Sequence, residues 1–246
     1  MQPYFFPYIG YFQLLNAVDR WIAFDEIQFI DKGWINRNRI LHPDPAKEWQ
    51  FITLPLAKRG QFDKICDISI KSEIDWRANI LGKLTSYKNQ APYYTQTIDF
   101  VRYCFDTDEK NLARLVIEIL KKTVGYLGIK TPIDVQSEMN LNLGEVQHAG
   151  QWALRISEAI GAKEYINPHG GQEIFKPEEF DDAKIKLSFL KAGLTPYHQK
   201  REKFVHGLSI VDFLMFNKIE NCEKFLGQYE KTDIKSINKN YGADNV

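Results

Sequence analysis

QPYFFPYIGYFQLLNAVDRWIAFDEIQFIDKGWINRNR, residues 2–39, carries the strongest structural signals in the chain. Pro3 and Pro7 keep its first residues out of a helix interior or a central strand. Gly10 gives the turn a permissive backbone position or a close backbone approach. Tyr11, Leu14, Leu15 and Val18 then fall at i, i+3, i+4 and i+7, one face of a helix. Residues 21–29 (WIAFDEIQF) are rich in β-formers and read as a strand. Asp25 and Glu26 lie inside that strand and Gln28 follows them. A buried carboxylate is costly unless paired, so Asp25 is expected at a strand end, against an Arg, or in a site.

Lys32-Gly33 then turns the chain into a polar loop over residues 34–39. A core has no use for two Asn and two Arg directly after a strand. The group Trp34, Asn36, Arg37, Asn38 and Arg39 therefore reads as a binding loop, and Arg suits phosphate or carboxylate because its planar fork donates two parallel hydrogen bonds. Tyr4, Phe5, Phe6, Tyr8, Tyr11 and Phe12 crowd the other end of the stretch. They are either a packed core corner or a wall that stacks on a flat ring. Gln2, Tyr4 and Tyr11 are the candidates for the wall, and the turn at 2–10 is expected to face the loop at 36–39.

Composition narrows the class. The chain has 246 residues, enough for a sizeable core. Its 44% hydrophobic and 26% charged content is ordinary for a globular protein. Lys plus Arg is 32 and Asp plus Glu is 32, a net charge of zero. That argues against a duplex nucleic-acid binder. No run approaches 18 apolar residues, so no membrane-spanning helix is predicted, and no basic-then-apolar leader opens the chain. Cys66, Cys104 and Cys222 are widely spaced and form no CxxC, so neither zinc nor a disulfide framework is expected. Cytoplasm is the expected compartment, and no metal set or cofactor is named.

Beyond residue 39, His42-Pro43-Asp44-Pro45 is a rigid turn. Residues 49–56 read as a second strand and 65–70 as a short alternating one. Helical patterns cover 76–87 and 111–127, with a further helix near 100–105, so 72–128 is expected as a largely helical insertion. Residues 131–135 read as a strand, 145–160 as a helix, and 185–189 and 194–197 as late strands. Residues 208–216 are a buried helix. A single domain over 1–230 is expected, then a loose tail over 231–246.

Residues 165–175, YINPHGGQEIF, form the second notable stretch. A short strand runs into a glycine pair, an arrangement that brings backbone N–H groups onto a phosphate or carboxylate, or that is a plain turn. His169, Gly170 and Gly171 are its candidate residues, with His169 a candidate general base. Neither GxGxxG nor GxxxxGK[ST] is present.

QPYFFPYIGYFQLLNAVD, D-x-x-QF, GWINRNRI, YINPHGG and F-x-x-x-LSIVDFLMFN together resemble the WbqC-like protein family, over nearly the whole chain to about residue 217. The resemblance implies a place in bacterial surface-polysaccharide (O-antigen) biosynthesis. Family members carry a short apolar strand before the QP-x-FFP turn, so here that strand is expected to be missing or the start misplaced. A second likeness joins P-x-x-G-Y-F-x-L-L-x-A-x-D to the P-x-x-x-G-H-x-x-L-x-x-A opening of nucleotidylyltransferase-like α/β proteins, with Tyr11 where their His stands. These readings predict a Rossmann-like α/β fold: a mostly parallel sheet flanked by helices, with a helical insertion.

Three functions follow from the family resemblance. One is acyl or aminoacyl transfer that forms an amide on a nucleotide-linked amino sugar, the acyl donor being coenzyme A or a carrier protein. Here Tyr4, Phe6 and Tyr11 stack on base or sugar, Arg37 and Arg39 hold phosphate or carboxylate, and Asp25 or His169 is the general base. Gln2, Gln28, Trp34, Asn36, Gly170 and Gly171 complete the binding set. Another is nucleotidyl transfer or adenylate-forming ligation with ATP and magnesium, positioned Arg and backbone amides stabilising the phosphoryl charge. The last is a non-catalytic partner in glycan assembly, in which the polar cluster is structural.

Overall fold

The computed structural model describes residues 1–233. In chain order its regular elements are α1 (Ile9–Asn16), β1 (Trp21–Ala23), β2 (Arg37–Leu41), β3 (Trp49–Thr53), α2 (Trp76–Leu84), α3 (Tyr94–Phe105), α4 (Leu112–Tyr126), β4 (Ile133–Val135), α5 (Gln151–Ala159), β5 (Glu164–Pro168), α6 (Pro177–Asp182), β6 (Lys186–Ala192), α7 (Ile210–Phe216), α8 (Cys222–Leu226) and β7 (Tyr229–Asp233). They form a mixed α/β protein whose strands make three small sheets. The described residues fall into two compact units: 1–138 with 194–227, and 139–193 with the described residues from 228.

A single, mostly parallel sheet is therefore not what the strands build. β1 pairs with β4 in parallel and β5 with β6 in parallel, but β2–β3 and β6–β7 are antiparallel. Connection length accounts for the β1–β4 and β2–β3 pairs, whereas β6 and β7 are antiparallel across a long connection that carries α7 and α8. Parallel neighbours need a long crossover, and the β1–β4 connection carries α2, α3 and α4. β2 and β3 are joined only by the tight His42–Glu48 link, with the His42 N–H donating to the Glu48 carbonyl (3.3 Å), so they can only run antiparallel.

In the first unit, the apolar residues after β1 leave the sheet. β1 ends at Ala23, and residues 25–29 run beside 63–66 through Cys66 N–H to the Asp25 carbonyl (3.1 Å), Ile65 N–H to Ile27 (3.0 Å) and Phe29 N–H to Asp63 (2.9 Å). The expected strand at 65–70 is a 3-10 turn, Ile65–Asp67, followed by single bridges. Ile68 and Ile70 are buried as an alternating strand would place them, and Ile65, which alternation would put on the opposite face, is buried as well. Residues 194–197 are not a strand. Residues 37–39, expected in a loop, begin β2. Met1 also lies along β1: its N–H donates to the Ile22 carbonyl (2.8 Å) and its carbonyl accepts from Phe24 N–H (2.9 Å), the pattern of a parallel bridge.

α4 shows how pattern becomes packing. Asn111 caps its first turn by accepting from Arg114 N–H (3.1 Å), and Gly128 follows its end at φ +74°. Leu112, Leu115, Val116, Ile119, Leu120 and Thr123 are all buried on its inner face.

In the second unit β5, β6 and β7 form one sheet. Its core is Leu154, Phe175, Phe180, Ile185, Leu187 and Phe189. The helix expected from 145 begins only at Gln151, because the Gln151 side chain accepts from Gln147 N–H (2.8 Å) in place of a further helical turn. β7 occupies 229–233, where the loose tail was expected to start; residues 234–246 lie outside the described residues.

Candidate functional site

The aromatic turn of the first unit is tied to β2 by one buried side chain. The strand RNRIL alternates, with Arg37 and Arg39 outward and Asn38 and Ile40 buried. Asn38 Nδ2 donates to the carbonyls of Phe5 (3.0 Å) and Phe6 (2.9 Å), and its Oδ1 accepts from Arg39 N–H (2.8 Å). Phe6 sits at φ +42°, and its carbonyl also accepts from Ser209 Oγ (2.8 Å). Phe5 N–H donates to the Trp34 carbonyl (3.0 Å). The turn and the Asn–Arg segment thus do face one another, but Asn38 rather than an Arg makes the join.

Tyr11 is core. It is 1% exposed and its hydroxyl donates to the Gln2 carbonyl (2.9 Å). Burial, reinforced by neighbouring Tyr4, pushes its phenol well above the ordinary range. A neutral, spent hydroxyl has no donor left for a phosphate. Tyr4 is half-buried, with its ring 5.5 Å from that of Tyr11, and burial raises its phenol too. Gln2 engages through its carbonyl.

The outward face of β2 and β3 carries the basic and aromatic groups. Arg37 lies over the Phe51 ring (4.1 Å). Its Nε donates to the Gly33 carbonyl (3.2 Å) and its Nη2 to the Lys32 carbonyl, so it clasps the turn that precedes it. Arg39 lies between two indoles, 5.1 Å from the Trp34 ring and 5.3 Å from that of Trp49. Its Nη2 reaches the Gly207 carbonyl (3.3 Å), while its buried Nε has no acceptor. Asn36 extends the ladder, donating from Nδ2 to the Leu54 carbonyl (3.0 Å).

Asp25 and Gln28 have other partners. Asp25 is 2% exposed and both carboxylate oxygens are engaged by Ser137, from its N–H (3.1 Å) and its Oγ (2.6 Å). Gln28 is exposed and donates to the Gln61 carbonyl (3.0 Å).

Two groups that the sequence reading passed over stand nearby. Asp212, fully buried in α7, accepts from Tyr87 Oη (2.6 Å), Tyr197 Oη (2.6 Å) and Gln199 Nε2 (3.1 Å). Burial raises its carboxyl to about 6, against the opposing pull of these donors and of the Arg201 charge. Arg201 donates from Nη2 to the His42 carbonyl, and its buried Nε and Nη1 have no acceptor. Only the alternation of β2 could have flagged Asn38 as inward. Asp212 is the lone acid of the apolar run 208–216, a signal of the same kind as Asp25 gives, whereas no local pattern marks Arg201.

In the second unit, His169 and Gly170 are exposed and open a 3-10 segment, His169–Ile174. Neither Gly170 nor Gly171 takes a positive φ, and a Cβ on Gly171 would meet Asn167 Nδ2 at 2.3 Å. This close approach explains Gly171; a Cβ on Gly170 would meet nothing within 4 Å, and neither glycine supplies the left-handed residue of a backbone anion nest. Elsewhere in the unit, His148 Nε2 lies 3.0 Å from Glu179, which also accepts from Gln151 (3.0 Å); these contacts, the His148 bond first, hold the Glu179 carboxyl below the usual range. A cavity of about 300 Å³ beside Gly193 and Tyr229 holds none of the candidate side chains.

The cysteines are poor nucleophiles. Burial pushes Cys66 to about 11 and Cys104 and Cys222 to about 12. Among the described residues there is no group of three or more His, Cys, Asp or Glu placed to hold a metal, and no helix long and apolar enough to cross a membrane.

A protein-family model described as the WbqC-like protein family matches residues 2–224. "Uncharacterized protein Rv1507c" of Mycobacterium tuberculosis is 25% identical over 219 residues, covering 88% of this chain and 91% of that protein. No solved structure matches the chain.

Proposed function

The chain belongs to the WbqC-like protein family, and from that premise we propose that it is a cytoplasmic acyl or aminoacyl transferase of bacterial surface-polysaccharide (O-antigen) biosynthesis, forming an amide on a nucleotide-linked amino sugar. The observation that carries the substrate half of this reading is Arg39. Its guanidinium sits between Trp34 and Trp49 with one buried N–H unanswered. A nucleotide-linked sugar brings a diphosphate for such a fork and a flat base for an aromatic surface. Tyr4, half-buried in the turn as Tyr8 is, is the ring offered to such a ligand.

In the transfer, the sugar amine bonds to the acyl carbonyl carbon, the bond from that carbon to the donor sulfur breaks, and the thiol leaves. The amine proton passes to a general base. By residue type Asp25 or His169 is the candidate for this role. Asp25 is buried with both oxygens occupied. A Rossmann-like plan for the first unit belongs to the same reading, supported by the parallel β1–β4 pair and its helical crossover. Adenylate formation by the nucleotidylyltransferase route loses support at Tyr11, whose hydroxyl is spent in the core.

The test is incubation of the purified protein with UDP-linked amino sugars and acyl-coenzyme A or acyl-carrier donors. Thiol release matched by an amide product in mass spectrometry is expected. Pyrophosphate release from ATP without thiol release would replace the transferase with a ligase.

A further inference from the structure

We propose that Arg201 is a second anion-binding residue, acting with Arg39 to hold a phosphate-class anion along the seam between β2 and residues 199–207. The two side chains cross this seam in opposite directions. Arg39 leaves β2 and reaches the Gly207 carbonyl; Arg201 leaves the 199–207 segment and reaches the His42 carbonyl just past the end of β2. Each guanidinium is thereby fixed by one backbone acceptor, and three of their N–H-bearing atoms remain buried without a partner: Arg39 Nε, Arg201 Nε and Arg201 Nη1.

Buried donors are nearly always satisfied, and an unsatisfied one bonded to a charged group is expensive. No carboxylate answers these. Neither Arg forms an ion pair with another described residue. Asp212 feels the Arg201 charge, but its oxygens are taken by Tyr87, Tyr197 and Gln199. The local frame is also stiff. Gln199 closes its segment by donating to the Val205 carbonyl (3.1 Å) and accepting from Val205 N–H (2.8 Å), and Ser209 N–H donates to the Arg39 carbonyl (2.8 Å). Two preorganised, uncompensated guanidiniums with N–H groups to spare match a tetrahedral oxyanion with several acceptors. Arg37 gives one N–H to Gly33 and one to Lys32 and has no buried donor left without a partner, so it is not part of the pair.

As the phosphate contact of the sugar nucleotide, this pair rests on the reading that the first unit takes that substrate; as an anion site it stands on the geometry alone. Calorimetric titration of the full chain with inorganic pyrophosphate and with UDP tests it. Saturable 1:1 binding is expected. Arg201→Gln and Arg39→Gln should each weaken it at least about tenfold, the loss of one charge-assisted bond. Arg201→Lys, which can still reach the His42 carbonyl but lacks the fork, should weaken it too, and Arg155→Gln, on an exposed helix face, should not. Tighter binding of UDP than of pyrophosphate marks a nucleotide as the occupant. Absence of binding to either probe, or binding indifferent to both Arg39 and Arg201, overturns the proposal. Arg201-dependent binding without any thiol release would uphold the site and sink only the transferase reading.

Discussion

Asn38 donates its side-chain amide to the carbonyl of Phe6, the residue of the aromatic turn held at φ +42°. A positive φ in a bulky residue persists only when its surroundings over-determine it. Here Asn38 and Ser209 hold one face of the peptide while the Phe6 ring is fully buried. Asn38→Ala should therefore destabilise the protein by about 2–4 kcal/mol, since it removes three hydrogen bonds and leaves the Phe5 carbonyl and the Arg39 N–H unanswered. Denaturant unfolding measures this. A loss below about 1 kcal/mol would mean that Ser209 and packing suffice.

The buried Asp212 gives stability a definite pH signature. Its folded pKa is raised from 3.8 to about 6, so between those values the folded state binds more protons than the unfolded one. Its contribution is present in full below about pH 4 and is lost as pH rises through about 6, an effect of about 3 kcal/mol. Relative to Asp212→Asn, which cannot titrate, the wild type should lose stability by roughly that amount across the window. Unfolding midpoints of both proteins at stepped pH check it, and a difference that is flat or of opposite sign would refute the assignment.

How far the sequence was legible depends on where each signal lay. Local periodicity carried the helices well: the stripe from Leu112 to Val124 is a buried face, and Ser209 caps the apolar run that follows it. Apolar residue type found buried residues but not their pairing, so Ile65, Ile68 and Ile70 are inside without being a strand. Residues 37–39 looked like a loop because Arg and Asn mask a β pattern whose inward positions are only Asn38 and Ile40. The polar contacts of the candidate site were least legible. Asp25 with Ser137, and Arg201 with His42, join residues more than a hundred positions apart, and nothing local records such a pairing.

The Asp25–Ser137 contact separates a structural carboxylate from a catalytic one. Ser137 Oγ at 2.6 Å is a charge-assisted donor to a carboxylate that is 2% exposed. Ser137→Ala should cost about 1.5–3 kcal/mol, because the carboxylate keeps its burial and loses its shorter bond. Asp25→Asn should reduce stability while leaving amide formation within about threefold, a rate change of under 1 kcal/mol. Urea unfolding and initial rates are the two readouts. A collapse in rate at unchanged stability would restore Asp25 to the role of base.

Arg37 and Arg39 stand two residues apart on the same strand face, yet they should respond oppositely to substitution. Arg37 has its Nε on the Gly33 carbonyl, its Nη2 on the Lys32 carbonyl and its plane over Phe51, so its work is to hold the turn before β2. Arg37→Ala should lower stability by about 1–2 kcal/mol through those two bonds and the lost ring contact. Arg37→Lys should recover little, because one ammonium cannot reproduce a planar fork. Neither change should alter pyrophosphate affinity by more than about twofold, or about 0.4 kcal/mol. Arg39→Gln gives up one weak backbone bond of 3.3 Å and an unanswered buried donor, so its stability cost should be the smaller of the two and its binding loss the larger. Parallel unfolding and titration of the three variants decide the matter: a binding loss confined to the Arg37 variants would transfer the anion contact to Arg37.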